Sequence, residues 1–410
     1  MLRLAPFTPK TLRCRSAVSV GLSGRLERRV AGLLLVAGLL SPLNGCAGPQ
    51  RFNAVPSALA GETRFLQVAN ARFDADDGSA LEAELRKALK LGAASPLDLL
   101  ALSGGKEDGA FGAGLLVGWT LRGGRPAFRI VTGTSTGALA APFAFLGSGF
   151  DWALESMYTK TQPDDIIARR FIMAAVNSDA MMDSAPLQRM IATYLDGRII
   201  ELIAAEYKKG RLLLIATTNL DTGKLVIWNI GAIAASAHPR RLELVRKIVL
   251  ASAALPGMFP PVMLDVLVDE SRHQEMHVDG GTVSQIFLYP PSLSLKKLLQ
   301  PRDRVRATAY IVRNGRISPT PENVERKTLA IAGRAIETMI TSNGAGDLYR
   351  IYTTTQRDNV GFNLALIERD FQVPYTGVFD THYMRSLFAY GREKGLNGYN
   401  WLKAPPGLAK

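Results

Sequence analysis

The apolar residues of this chain fall into a regular pattern from about residue 97 onward. Leu97 to Leu102 is aliphatic at most positions and is bounded by Pro96 and Ser103-Gly104-Gly105. A short apolar run between turn residues reads as a strand buried on both faces of a parallel sheet. Gly109 to Leu121 then carries apolar residues at helical spacing, Phe128 to Val131 reads as a second strand, and Thr136 to Leu146 as a second helix. Alternation of strand and helix predicts an α/β domain with a largely parallel central sheet. Further strands are expected at Leu212 to Thr217, Leu225 to Trp228, Val262 to Val268 and Ala307 to Val312. Further helices are expected near Leu81 to Leu91, Pro186 to Tyr194, Arg241 to Ala251 and Lys327 to Ile340.

The first 45 residues follow a different logic. Arg25, Arg28 and Arg29 precede the apolar stretch Ala31 to Leu40, and Leu43-Asn44-Gly45-Cys46 follows it. Ten residues are too few to cross about 30 Å of hydrocarbon as a helix. Basic region, apolar region and small residue at the cut are the order of a secretory signal. Leu43, Gly45 and Cys46 resemble the bacterial lipobox, so Cys46 is expected to be lipidated and the mature chain to be an exported lipoprotein of the cell envelope. Residues 1–45 hold seven Lys or Arg against one Glu, so the net charge of +13 falls by 6 to +7 on the remainder. No long basic run with interleaved aromatics remains, which argues against nucleic acid as a partner. With Cys14 in the removed segment and Cys46 as anchor, neither a disulfide nor a cysteine metal site is available to the body.

Three short motifs carry chemistry. Gly133-Thr134-Ser135-Thr136-Gly137 fits GxSxG where a strand gives way to a helix, the context that lifts a Ser hydroxyl onto a tight turn. About thirty residues earlier, Ser103-Gly104-Gly105-Lys106-Glu107-Asp108-Gly109 ends the first strand and opens the first helix. In a parallel sheet both loops arrive at the same edge, where backbone N–H groups of Gly104, Gly105 and Lys106 can receive a developing oxyanion. His277-Val278-Asp279-Gly280-Gly281 places a carboxylate at the end of an apolar segment, before two permissive glycines.

In this order the three pieces resemble the patatin-like phospholipases. The stretches Thr217 to Gly223 and Ala251 to Pro261 extend the likeness, which covers about residues 97 to 290. The resemblance implies a three-layer α/β/α fold and a Ser-Asp dyad without His. Ser135 is then the nucleophile, Asp279 its base, and Gly109, Gly133, Gly137, Gly280 and Gly281 the motif glycines, with no metal and no cofactor. It implies hydrolysis of ester-linked fatty acids from phospholipids or related lipids. The chain departs from the pattern at Lys106, where a third glycine is usual, and at Asp108, where plant members carry Arg or Lys. The expected division is a signal peptide with lipobox over 1–45, a tether and lead-in over 46–95, the catalytic core over 96–295, and an extension over 296–410 that completes the same domain.

Two rival readings have identifiable residues. A Ser-Asp-His triad would use His382, which follows Ser135 and Asp279 in chain order but has no flanking motif. His273 and His277 are four apart, yet their segment reads as strand and offers no third ligand, so a metal site is not expected. A lipoprotein that binds lipid on the same fold without hydrolysing it is the third reading. The expected partners are a lipid substrate and a membrane surface; the oligomeric state is left open.

Overall fold

The computed structural model describes residues 51–63, 65, 68–91, 96–169, 179–299, 305–317 and 323–408. The expected signal segment and Cys46 lie outside them. The strands are β1 (Arg72–Asp74), β2 (Leu97–Leu102), β3 (Ile130–Thr134), β4 (Ala168–Arg169), β5 (Met182–Asp183), β6 (Leu212–Asn219), β7 (Lys224–Asn229), β8 (Val262–Val268), β9 (Ser271–Asp279), β10 (Ala307–Arg313) and β11 (Gly361–Leu366). The helices are α1 (Ser79–Leu91), α2 (Gly109–Arg122), α3 (Thr136–Leu146), α4 (Asp151–Thr159), α5 (Ala185–Tyr194), α6 (Gly197–Lys208), α7 (Ile230–Ala235), α8 (Arg241–Ser252), α9 (Leu295–Leu299), α10 (Thr328–Arg357) and α11 (Thr381–Asn397).

Among the described residues nine strands form one sheet in the order β1-β7-β6-β3-β2-β10-β11, with β9 paired to β6 and β8 paired to β9. From β6 to β11 the five neighbouring strands run parallel. Alternate residues of these strands enter two separate apolar layers. Leu100, Leu102, Val131, Leu213 and Ile215 pack toward α2 to α8 and α11. Leu99, Ala101, Ile130, Leu212 and Leu214 pack toward α1, α9 and the second half of α10. A strand apolar on both faces needs helices on both sides, and the result is the largely parallel α/β sheet the sequence pattern predicted, in the three-layer α/β/α arrangement the family resemblance implied.

One feature of the sheet creates the site. β6 gives one edge to β7 along Leu214–Asn219 and shares its other edge between two strands. β3 runs parallel along Leu212–Ala216 and stops with Thr134 opposite Ala216. β9 runs antiparallel along the rest and stops with Asp279 opposite Thr217. Two strands therefore meet head to head on one edge. The last residue of β9 and the first residue after β3 become neighbours although 144 positions apart in sequence (279 − 135).

The stretch expected as a lead-in carries structure of its own: β1 pairs antiparallel with β7 as an edge strand, and Arg51 forms an ion pair with Asp221 at 2.9 Å. Helix α10 runs on to Arg357, well past the expected end at Ile340. Asn343, Gly344 and Gly346 look like a stop, but a Cβ on Gly344 would sit 2.0 Å from Gln285 Oε1, so this glycine serves close packing. Tertiary contact overrides the local signal. Helix α11 closes on α2 in the same way: Gly114 and Gly118 face the carbonyls of Phe388 and Arg392, and Gly391 and Gly395 face those of Phe111 and Leu115.

Candidate active site

Ser135 stands between β3 and α3 at φ 55°, ψ −125°, a conformation that strains any residue with a side chain. Its neighbours explain how the turn closes. A Cβ on Gly133 would lie 2.5 Å from the Gly137 carbonyl oxygen, and one on Gly137 would lie 2.3 Å from that of Leu102. Both flanking positions of the motif are closed to any larger residue. The backbone of Ser135 is held from a third element: its N–H donates to Ser252 Oγ at 3.0 Å, and that hydroxyl donates to the Ala216 carbonyl at 2.7 Å.

Asp279 is almost fully buried, and its carboxylate, beside Ser135, accepts a hydrogen bond from the Gly281 N–H at 2.7 Å. Burial pushes its pKa up to about 6, against the opposing pull of the Ser135 hydroxyl, the Gly281 N–H and the Lys106 charge. Gly280 must be small because a Cβ there would meet the Ala216 carbonyl oxygen at 2.7 Å and Thr134 Cγ2 at 2.9 Å. The main-chain N–H of Asp279 donates to the Ala254 carbonyl at 2.9 Å. Ser252 and Ala254, two residues apart, thus hold one member of the pair each.

The glycine-rich loop lies against Ser135. A Cβ on Gly104 would stand 3.0 Å from Ser135 Cβ and 3.7 Å from its Oγ. Gly104 was expected to offer its N–H to an oxyanion, and this needs correcting: that N–H donates to the Gln285 carbonyl at 2.9 Å. Its role is space. The N–H groups of Gly105 and Lys106 have no partner among the described residues and remain the donors of the loop. Gly105 faces the Asn314 carbonyl oxygen, 2.0 Å from where its Cβ would be. Gly109 is equally confined, 2.2 Å from Thr136 Oγ1 by the same construction.

Lys106 adopts positive φ, 52°, where a third glycine would be at ease. Its Nζ pairs with Glu337 Oε1 on α10 at 2.8 Å. Burial alone would lower this ammonium's pKa, but Glu337, with Glu107 and Asp108 behind it, outweighs burial and the net direction is upward. Asp108 is turned inward and accepts from the Tyr383 hydroxyl at 2.8 Å; burial first and repulsion from Glu107 second push it up to about 7.

Three supports of the loop had no place in the sequence reading. Asn314, at the end of β10, donates from Nδ2 to the Ser103 carbonyl at 2.8 Å and accepts from the Gly112 N–H at 3.1 Å. Asp347 of α10 accepts from the Gln285 N–H at 2.7 Å and so fixes the residue that receives Gly104. Glu337 reaches Lys106 across 231 positions of sequence. Only Asn314 left a signal, an Asn-Gly pair closing a strand parallel to β2 and therefore ending at the same edge. The histidines stand apart. His382 is exposed at the start of α11 and makes no hydrogen bond with Ser135 or Asp279 among the described contacts. His277 is buried on β9, held below its ordinary pKa by burial, with its ring nitrogens engaged by Thr217 and Glu275.

Comparison with known proteins bears on the family of the chain. Residues 100–290 match the family model described as patatin-like phospholipase. Among solved structures, VipD from Legionella pneumophila is similar at 13% identity and a TM-score of 0.33, over 74% of this chain and 67% of that one. No protein of curated function matches. The matched segment includes the glycine-rich loop, the GxSxG turn and the Asp-Gly-Gly turn, so this chain carries a patatin-like phospholipase domain over residues 100–290, the domain of a family of lipid hydrolases.

Proposed function

We propose that this protein hydrolyses ester-linked fatty acids from phospholipids or related lipids through a Ser135–Asp279 dyad and an acyl-enzyme. The observation that carries the reading is the head-to-head meeting of β3 and β9, which sets a buried carboxylate beside Ser135, with burial pushing the Asp279 pKa up to about 6. Such a group is ionised at neutral pH yet still basic enough to take a proton in the transition state. Asp279 removes the hydroxyl proton as Ser135 Oγ attacks the ester carbonyl, and the N–H groups of Gly105 and Lys106 receive the oxyanion. Asp279 then returns the proton to the departing alcohol. In the second half a water gives its proton to Asp279 and attacks the acyl ester, releasing the fatty acid and restoring Ser135. The strained turn at Ser135 favours catalysis over mere lipid binding, since a binding site has no use for an unfavourable backbone conformation at a hydroxyl. Turnover of a chromogenic acyl ester by the wild type, and its absence in Ser135→Ala, is the test; no turnover by the wild type leaves the lipid-binding reading.

The membrane attachment implied by Leu43 to Cys46 belongs to the same proposal. A lipid chain on Cys46 would keep the enzyme at the envelope surface where its substrate lies. Metabolic labelling with a fatty acid checks it: the wild type incorporates label and Cys46→Ser does not.

A further inference from the structure

Helix α10 changes character along its length. From Gly344 onward it buries Asp347, Leu348, Ile351, Thr354 and Thr355. Its first four turns, Thr328 to Ser342, contain no buried residue although the sequence there is largely apolar. Leu329, Ile331 and Met339 are 71%, 54% and 58% exposed. Ile331, Ala335 and Met339 recur every four residues and form one outward stripe, with exposed Ala332 beside it. The solvent face of an ordinary surface helix is polar, and an apolar stripe facing outward marks a docking face.

The opposite side of the same turns borders the candidate site. Glu337 holds Lys106 of the oxyanion loop, and Ile340 Cγ2 lies 3.7 Å from where a Cβ on Gly281 would stand, next to Asp279. Tyr375, 52% exposed and near Glu107 of the same loop, adds an amphipathic ring. Charge identifies the occupant. Among the described residues Arg326, Lys327, Arg334 and Lys106 stand against Glu325 and Glu337, four cations to two carboxylates, with Lys327 paired to Glu325 and both Lys106 and Arg334 paired to Glu337. Cations beside an apolar stripe match anionic headgroups over acyl chains.

We infer that the first half of α10 is the surface on which the enzyme settles onto an anionic lipid bilayer, with Ile331, Ala335 and Met339 entering the acyl region beside the way in to Ser135. The inference rests on the lipid hydrolase reading for its purpose, but not for its test.

The test uses the full chain and two substrates: mixed phosphatidylethanolamine and phosphatidylglycerol vesicles, and a dissolved short-chain p-nitrophenyl ester. Ile331→Asp with Met339→Asp lowers vesicle hydrolysis about tenfold or more while dissolved-ester hydrolysis stays within about twofold. Met339→Trp, which adds no charge, shows an emission blue shift relative to wild type on addition of the vesicles. Unchanged vesicle hydrolysis in the double variant, or no blue shift, overturns the inference. So does a sedimentation coefficient showing a wild-type dimer that the double variant loses, which would give the stripe to a second copy. A wild type inert toward both substrates but with a blue shift in Met339→Trp would sink the hydrolase reading and leave the docking face standing.

Discussion

The two loops that meet at the site each hold a residue with a side chain at positive φ, Ser135 at 55° and Lys106 at 52°, and they hold it by different means. At Ser135 the constraint is internal: glycines with no room for a Cβ, a buried Ser252 hydroxyl on the backbone N–H, and a sheet edge that brings Asp279 alongside. At Lys106 the constraint comes from an ion pair with Glu337, whose two side chains are 30% and 43% exposed, on a stretch of helix with no buried residue. A partly exposed pair contributes about 0–1 kcal/mol, about as much as the strain it opposes. Ser135 is fixed by the core; the glycine-rich loop is anchored by buried Asn314 and Asp347, but its Lys106 side chain is held only by a pair that exchanges readily.

Breaking the nucleophile side should have the largest effect. Ser135→Ala or Asp279→Ala should lower hydrolysis of a chromogenic ester by about 10³-fold to 10⁶-fold, and the double variant should be no worse, since the two act as one unit. Additive losses would mean separate roles. Next comes the support behind the nucleophile. Ser252→Ala leaves the Ser135 N–H and the Ala216 carbonyl unpaired in a buried site, at a cost of about 1–3 kcal/mol. We expect kcat to fall about tenfold with KM nearly unchanged, because a displaced hydroxyl impairs attack more than binding. A KM effect without a kcat effect would remove Ser252 from the positioning of Ser135.

The pH dependence follows from Asp279. Its carboxylate must be ionised to act, so kcat/KM should rise through about pH 6 and then level off. Stability runs the other way. A carboxyl held at about 6 in the fold against an ordinary 3.8 favours the protonated fold, and ionisation removes on the order of 3 kcal/mol as pH rises through that window. Asp279→Asn should therefore be inactive yet more resistant to urea at pH 8, with the advantage shrinking as pH falls from about 6 toward 4. Equal urea midpoints at both pH values would contradict the burial of the charge.

The smallest effect is expected at the other loop. Lys106→Gly relieves positive φ and loses the pair with Glu337, so its thermal midpoint should move little. Turnover of a neutral ester should persist while that of an anionic phospholipid weakens, and Lys106→Glu should weaken the anionic substrate further. Equal changes in kcat/KM for both substrates would deny Lys106 any part in headgroup preference.

The same contrast separates what the sequence reveals from what it conceals. Ser135, Asp279 and their glycines are legible because each motif is local, and because strand-helix alternation puts the loops after β2 and β3 at one edge. The head-to-head meeting of β3 and β9 is not legible, since it depends on how one edge of β6 is divided. The availability of Gly104 is hidden for a similar reason: the carbonyl that takes its N–H belongs to Gln285, after the last motif. Glu337 and Asp347 sit on a helix whose full length the glycines disguise. Strand β11 and helix α11 were not read from the pattern at all; short apolar runs among polar and aromatic residues near the end of the chain gave no period long enough to assign.

A fluorophosphonate probe, with the modified peptide identified by mass spectrometry, tests the dyad most directly. Labelling should fall on Ser135 in the wild type, vanish in Ser135→Ala, slow by orders of magnitude in Asp279→Asn, and proceed normally in His382→Ala. Labelling that survives Ser135→Ala, or that disappears in a folded His382→Ala, would contradict the Ser135–Asp279 account.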